Sequence, residues 1–392
     1  MKVAIVGKGT SSIITAMRFI EEGYSVDIFY DPHKPHLKVG ESTTPPLLVL
    51  IKSVFNLEVV DLISLGIVSL KSGVKFINWG IGNTFTHGFE SSSVSFQFDT
   101  QKFNEFFHKK LKEERGVNYF PERVEGYKVD VDTNTIIVNE KLYDFLVFCS
   151  GWNNSEDYDE PVFETVNSGI TYSVNSIIDP ICTLHEATED GWQFGLPFPN
   201  ENITKHGYLF NRNFISSEEV SKKLNLQNFG TYEWTPKCSK KLIQNKFVAF
   251  NGNNLFFLEP LQALSLHYYL LFASDICEYL NSNKNYQSYV YNNAKYINQI
   301  YKYQLSLAWH YSYGSTYKTN YWNDVTERAK KFMESVPYGK MSSILDGFSV
   351  DHINKNSQSF SVGSFVYPDF RMIHSGMTGE NIDNLFNKHI FG

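Results

Sequence analysis

A single turn near the N-terminus constrains this chain more than anything else in its 392 residues. Lys2 to Val6 is a compact apolar run. Gly7-Lys8-Gly9-Thr10-Ser11-Ser12 follows, and then Ile13, Ala16, Met17 and Ile20 recur at helical spacing on one face. Gly23 ends that helix, and Val26 to Tyr30 reads as a second strand. Strand, G-x-G-x-x-S turn and helix form the opening of a βαβ dinucleotide-binding unit. Two glycines let the backbone close on a pyrophosphate, and the helix N-terminus offers it unpaired N–H groups. Ser12 replaces the third glycine and is small enough for close helix–strand packing. Gly7, Gly9, Thr10, Ser11 and Ser12 are therefore expected to contact a cofactor. Tyr30 occupies the usual place of the ribose-binding acid and Asp31 comes one residue later, so Asp31 is the expected contact, by side chain or backbone. Gly40-Glu41-Ser42-Thr43-Thr44-Pro45 suits a loop lying on a flavin and equally a plain connecting turn. On the residues alone, FAD and NAD stay open.

Composition removes other classes. The formal charge of −7 argues against a phosphate-backbone binder, which needs a basic face. No apolar run approaches the ~18 residues of a membrane span, and the best stretch, Leu264 to Leu271, contains His267. Cys149, Cys182, Cys238 and Cys277 are too widely spaced for zinc ribbons or thioredoxin-type pairs. They fit a reducing cytoplasm, each as a small buried apolar residue. The histidines and carboxylates show no metal-ligand spacing. Aromatic residues make up 16% of the chain; with abundant Lys and Asn, they point first to an A/T-biased coding sequence.

With Gly40-Glu41-Ser42-Thr43 read, the chain resembles the flavin-dependent halogenases of the tryptophan-halogenase family. That family's pattern is a glycine-rich FAD turn followed by G-E-S-T-x-P. Further segments match in order. Leu70-Lys71-Ser72-Gly73 resembles the segment of the catalytic lysine, and His87-Gly88-Phe89 resembles its His-Pro-Phe. Val124 matches a flavin-contacting valine, and Cys149-Ser150-Gly151 a Cys-Ser-Gly at a strand end. Gly191-Trp192-Gln193-Phe194-Gly195-Leu196-Pro197 resembles W-x-W-x-I-P, and Glu259-Pro260-Leu261 the E-P-L that leads into the halide site. His310-Tyr311 and Gly314 to Trp322 resemble a helical segment of the family. Two features depart from the pattern. Gln262 stands where the family has its active-site glutamate, and the chain is short in the C-terminal region that closes over an indole.

The resemblance implies an FADH2-dependent halogenase that uses O2 and a halide ion to form hypohalous acid, with Lys71 and Gln262 at the catalytic positions. Lys71 relays the oxidant to an electron-rich aromatic or enol small molecule. A desolvated amine suits that task, because burial lowers its pKa. Gln262 can hydrogen-bond but cannot act as a base. The backbone N–H groups of Leu264 and Ser265 would hold the halide; a left-handed position at Ser265, where the family has glycine, would carry a steric cost. Gly40, Glu41, Ser42, Val124, Gly252, Asn253 and Leu266 join the expected FAD contacts, and His87, Phe89, Trp192 and Phe194 the substrate contacts. A separate flavin reductase would supply reduced flavin, since no second nucleotide motif is present; nucleic acid and membrane are not expected partners, and a homo-oligomer stays open.

The expected architecture is α/β. A discontinuous FAD-binding module (1–155 and 245–285) carries an inserted, mainly antiparallel substrate-side sheet (156–244). A helical cap and C-terminal tail follow (286–392). Two rival functions share this scaffold, a flavin monooxygenase and a flavin-binding protein that has lost halogenation.

Overall fold

The computed structural model describes residues 1–34, 40–89, 95–130, 132–151, 158–226, 229–335, 362, 365 and 367–380. Of the expected tail, 339–392, the rest lies outside the described residues. The chain is mixed α/β and divides into two units, each assembled from three segments. The first is Met1–Ser69, Ser95–Pro161 and Pro236–Ile300; the second is Leu70–Val94, Val162–Thr235 and Tyr301–Gly392.

The first unit is built on a six-stranded sheet with strand β1 (Lys2–Val6) well inside it. β1 pairs in parallel with β2 (Ser25–Phe29) on one side and with Phe145–Phe148 on the other. Val248–Phe250 continues the parallel order, the antiparallel Ile243–Asn245 closes one edge, and Asn118–Phe120 lies beyond β2. A parallel strand is covered on both faces, which is why β1 is apolar from Val3 to Val6 and Val3, Ala4 and Ile5 are fully buried. The helix α1 (Thr10–Glu21) buries more than its apolar face. Residues 11–17 are buried without a polar face, because the helices Pro46–Phe55, Thr100–Arg115 and Ser265–Asn281 all pack on it. Its C-terminus is closed by Gly23 at φ +80°, with the Gly23 and Tyr24 amides donating to the Ile20 and Phe19 carbonyls.

The second unit is built on a seven-stranded sheet. Its order is Gly230–Glu233, Ser168–Val174, Ile203–Phe210, Gly191–Phe198, Cys182–Thr188, Gly73–Ile77 and Phe85–Gly88. Every pairing is antiparallel except Cys182–Thr188 with Gly73–Ile77. The helix Tyr367–Thr378 docks beside the Phe85–Gly88 edge through two glycines. A Cβ on Gly376 would lie 2.2 Å from the Phe85 ring, and one on Gly80 would lie 2.2 Å from the Met377 carbonyl oxygen. Trp79, His310, Tyr311 and Trp322 form one buried aromatic cluster, and the Trp322 indole N–H donates to the Thr188 carbonyl at 2.6 Å.

One buried carboxylate ties the first unit's strands together. Asp27 on β2 is 1% exposed and accepts from the Asn118 amide and the Tyr143 hydroxyl, both at 2.8 Å, with the Lys2 ammonium at 2.9 Å. Burial raises its pKa, but these partners outweigh that and hold it below the usual carboxylate value. A depressed folded-state pKa gives stability that is present above the unfolded value and lost as pH falls through the folded one. Asp27→Ala should lower unfolding free energy at neutral pH by about 2 kcal/mol, because the buried Tyr143 hydroxyl loses its acceptor. In urea melts, the gap to wild type should shrink below pH ~4; a gap independent of pH would contradict this account.

Candidate active site

In the first unit, the expected cofactor residues converge on the turn after β1. Gly7 sits at φ +129°, and a Cβ there would lie 2.7 Å from the carbonyl carbon and oxygen of Cys149. The Cys149 amide in turn donates to the Val6 carbonyl at 2.7 Å, so the turn runs tight beneath the neighbouring strand end. Gly9 is the N-cap of α1, at φ −97°, and a Cβ there would meet nothing within 4 Å. The first glycine is needed for packing and the second leaves the backbone open to a ligand, as a pyrophosphate-binding turn requires. The Ser12 hydroxyl donates to the Gly9 carbonyl at 2.7 Å, so the serine replacing the third glycine fastens the turn. Gly252, at φ +65°, leaves a Cβ position 2.3 Å from the Ser11 hydroxyl, and beside it Asn253 accepts from Tyr269. These residues fit a dinucleotide.

The Gly40–Ser42 strand lies against Ser95–Asp99, and Thr10 donates to the Glu41 carboxylate at 2.8 Å. Burial pushes the Glu41 pKa up to about 7, with the Thr10 hydrogen bond opposing. Thr44 meets His267 at 3.5 Å, and burial lowers that imidazole to about 4. Asp31 does not present a bare carboxylate: its Oδ1 accepts from the His33 amide at 2.8 Å in the loop after β2. Val124 lies half-buried between the strands Asn118–Phe120 and Lys128–Asp130.

The turn at Gln262 differs in one respect from expectation. The left-handed residue is Ala263, at φ +52°, closed by its amide donating to the Pro260 carbonyl at 2.9 Å. Ser265 already begins the Ser265–Asn281 helix and bears no left-handed strain. Gln262 and Leu266 are both buried. Leu264, the N-cap, supplies no side-chain cap, so the first helical N–H groups keep their capacity for an anion.

In the second unit, Lys71 is 2% exposed, although its sequence position alone would suit a solvated strand end. Burial draws its pKa down to about 7, weakly opposed by Cys182. Its Nζ lies 5.4 Å from the centroid of the Phe89 ring. Phe89 is edge-on to His87 at 6.0 Å, and His87 Nε2 lies 2.8 Å from Asp369 Oδ1. Trp192 is fully buried beside His185, with ring centroids 5.1 Å apart. Phe194 lies over Gly207, where a Cβ would meet the ring at 2.2 Å. Burial, then the Lys71 charge, holds the His185 pKa well below normal. His310 is fully buried, and among the described residues neither of its ring nitrogens has a partner.

Sequence reasoning missed Asp369, His185 and Asn104, the last accepting from Thr10 at 3.2 Å. Tyr367-Pro368-Asp369 does carry a helix-start signal, proline followed by an acid, but nothing local links it to His87.

A family model described as tryptophan halogenase matches residues 2–93 and 90–337. Three solved structures share the fold. A tryptophan halogenase from Shewanella frigidimarina is 16% identical over 96% of this chain and 88% of its own, with TM-score 0.78. A tryptophan 6-halogenase from Streptomyces toxytricini is 17% identical over 96% and 90%, with TM-score 0.78. A flavin-dependent halogenase from Brevundimonas sp. BAL3 is 14% identical over 96% and 89%, with TM-score 0.77. No curated protein matches by sequence.

The two glycines of the turn should separate in a test. Gly9→Ala should melt like wild type yet bind FAD at least about tenfold more weakly. Gly7→Ala should lose stability as well, its Cβ having no room. Thermal melts and FAD fluorescence titrations read both; Gly9→Ala with undiminished FAD affinity would remove this turn from the cofactor site.

Proposed function

Because the chain belongs to the tryptophan halogenase family, we propose that it halogenates an electron-rich aromatic or enol carbon with reduced FAD, O2 and a halide, relaying the oxidant through Lys71. Bound flavin supplies the hypohalous acid. The chain's own residues bind, shield and pass it on. The turn Gly7 to Ser12, with Gly40, Glu41, Ser42, Val124, Gly252, Asn253 and Leu266, would hold the cofactor, and Asp31 would reach its ribose end. The amides of Leu264 and Ser265, at the N-terminus of a 17-residue helix, would hold the halide. A separate reductase would deliver the reduced flavin.

The observation that carries this reading is the buried amine. A lysine 2% exposed, with its pKa drawn to about 7, is substantially neutral at physiological pH. A neutral amine has a lone pair that can take the halogen from hypohalous acid, forming a haloamine that transfers it to carbon. Phe89 beneath Nζ and the buried Trp192, with Phe194 as a further apolar wall, would keep water from competing. Gln262 can orient the oxidant by hydrogen bonds but takes no proton. Its buried amide is consistent with a slower reaction than a carboxylate would give.

The test supplies a flavin reductase, NADH, FAD and each halide in turn to a panel of phenols and indoles. A mass shift of one halogen is the expected product. Oxygen insertion without halide would assign a hydroxylase, and no product with tight FAD binding would assign a flavin-binding protein. Lys71→Ala should abolish halide incorporation while FAD binding survives. In wild type the transfer rate should rise as pH passes upward through about 7, because the neutral amine is the reacting form. A rate that instead falls over that interval would mean that the ammonium acts as a hydrogen-bond donor and no haloamine forms.

A further inference from the structure

His87 and Asp369 are 282 residues apart in sequence and 2.8 Å apart in the fold. The imidazole is 1% exposed and the carboxylate 19%, so the pair is shielded but Asp369 keeps contact with water. Asp369 lies in the first turn of the Tyr367–Thr378 helix, which the close fits at Gly80 and Gly376 fix against the His87 strand. Such fits leave little freedom to slide, so the pairing is a built feature. A carboxylate only accepts hydrogen bonds, so His87 Nε2 carries the proton toward Asp369 and Nδ1 keeps its lone pair. Asp369 also stabilises the imidazolium that forms if Nδ1 takes a proton.

The surroundings assign this base to the substrate side. His87 is edge-on to Phe89, the ring under the Lys71 amine, and to Phe365 at 5.5 Å. Lys71, His185 and His310 are the other titratable groups whose charge couples into this cluster. Loss of a ring C–H proton after halogen transfer needs only a weak base. Removing a phenolic or enolic O–H proton beforehand needs a positioned acceptor, and the imidazole held through Nε2 by Asp369 offers its Nδ1 lone pair.

The geometry points to the His87–Asp369 couple as the base of the substrate site, and to phenols or enols as its substrates; this rests on the halogenase reading above. His87 Nδ1 takes the hydroxyl proton, leaving a phenolate and an imidazolium held by Asp369. The Lys71 amine has already taken the halogen from hypohalous acid, releasing water, and the phenolate carbon takes it from the resulting haloamine. The imidazolium proton goes to the departing amine nitrogen, restoring the neutral lysine, and the ring C–H proton returns to oxygen. The sum is phenol plus hypohalous acid giving halophenol plus water. His87 is the proton acceptor and Asp369 a positioning residue.

The test uses flavin-free full-length protein and 4-nitrophenol, below the pH at which the probe ionises in solution. Wild type should bind it with a visible phenolate band. Asp369→Asn and His87→Gln should each cut the bound phenolate fraction by about tenfold, and Lys71→Met should keep it. Melting curves check folding; if His87→Gln does not fold, the near-isosteric Asp369→Asn decides. In the complete reaction, Asp369→Asn should slow a phenol about tenfold more than its O-methyl ether. A band that survives both variants, a band that follows Lys71, or no probe binding by wild type overturns the proposal. Ionisation of the probe without any halide incorporation supports the couple and removes the halogenase reading. Halogenation of phenol and ether with equal sensitivity to Asp369→Asn removes the couple and spares that reading.

Discussion

The first unit depends on the passage of a backbone with no side chain beneath a neighbouring strand. β1 is hydrogen-bonded on both sides to parallel strands, so the chain leaving its end has little space. At Gly7 the turn comes so close to Cys149 that a methyl group would overlap the carbonyl. That approach lets α1 start at once and turn its N-terminus to the open side at Gly9. The rest is arranged around it: Gly252 against Ser11, Asn251 bonded to Thr15 at 2.9 Å, and Glu41 under Thr10. Because three helices and the sheet all pack on α1, its first two turns have no solvent face, and its serines and threonines bond to its own backbone or to neighbouring side chains.

The second unit depends on taking an amine out of water. Burying an ammonium is costly, so the group shifts toward its neutral form. The imidazoles in the same unit respond alike: His185 and His310 are buried and their pKa values are driven down. His87, in the same unit, faces a carboxylate. Aromatic rings fill the space between these groups. Of the many aromatics that coding bias explains, Phe76, Trp79, Phe89 and Trp192 are placed against Lys71 or the buried histidines.

The G-x-G-x-x-S opening was legible because strand, turn and helix are contiguous and each glycine has a local reason to be there. The ordered motifs from Gly40 to Trp322 were legible as a family pattern. The turn at Gln262 was legible only in part. Family spacing put the left-handed residue at Ser265, but the hydrogen bond from the Ala263 amide to Pro260 puts it two residues earlier. The burial of the first turns of α1 on every side was not legible, for a related reason. Periodicity shows which residues are apolar, whereas burial depends on how many neighbours arrive from distant segments.

By itself the sequence determined the βαβ start, the family and the candidate lysine. These rest on residue types at short spacing, where local geometry dictates the contact. The tertiary structure alone decided that Lys71 is buried and that Asp369 reaches His87. Both depend on pairings across long loops, such as Gly73–Ile77 with Cys182–Thr188 and the C-terminal helix on Phe85–Gly88. Neither partner bears a mark of the other in sequence, because packing, and not spacing, brings them together.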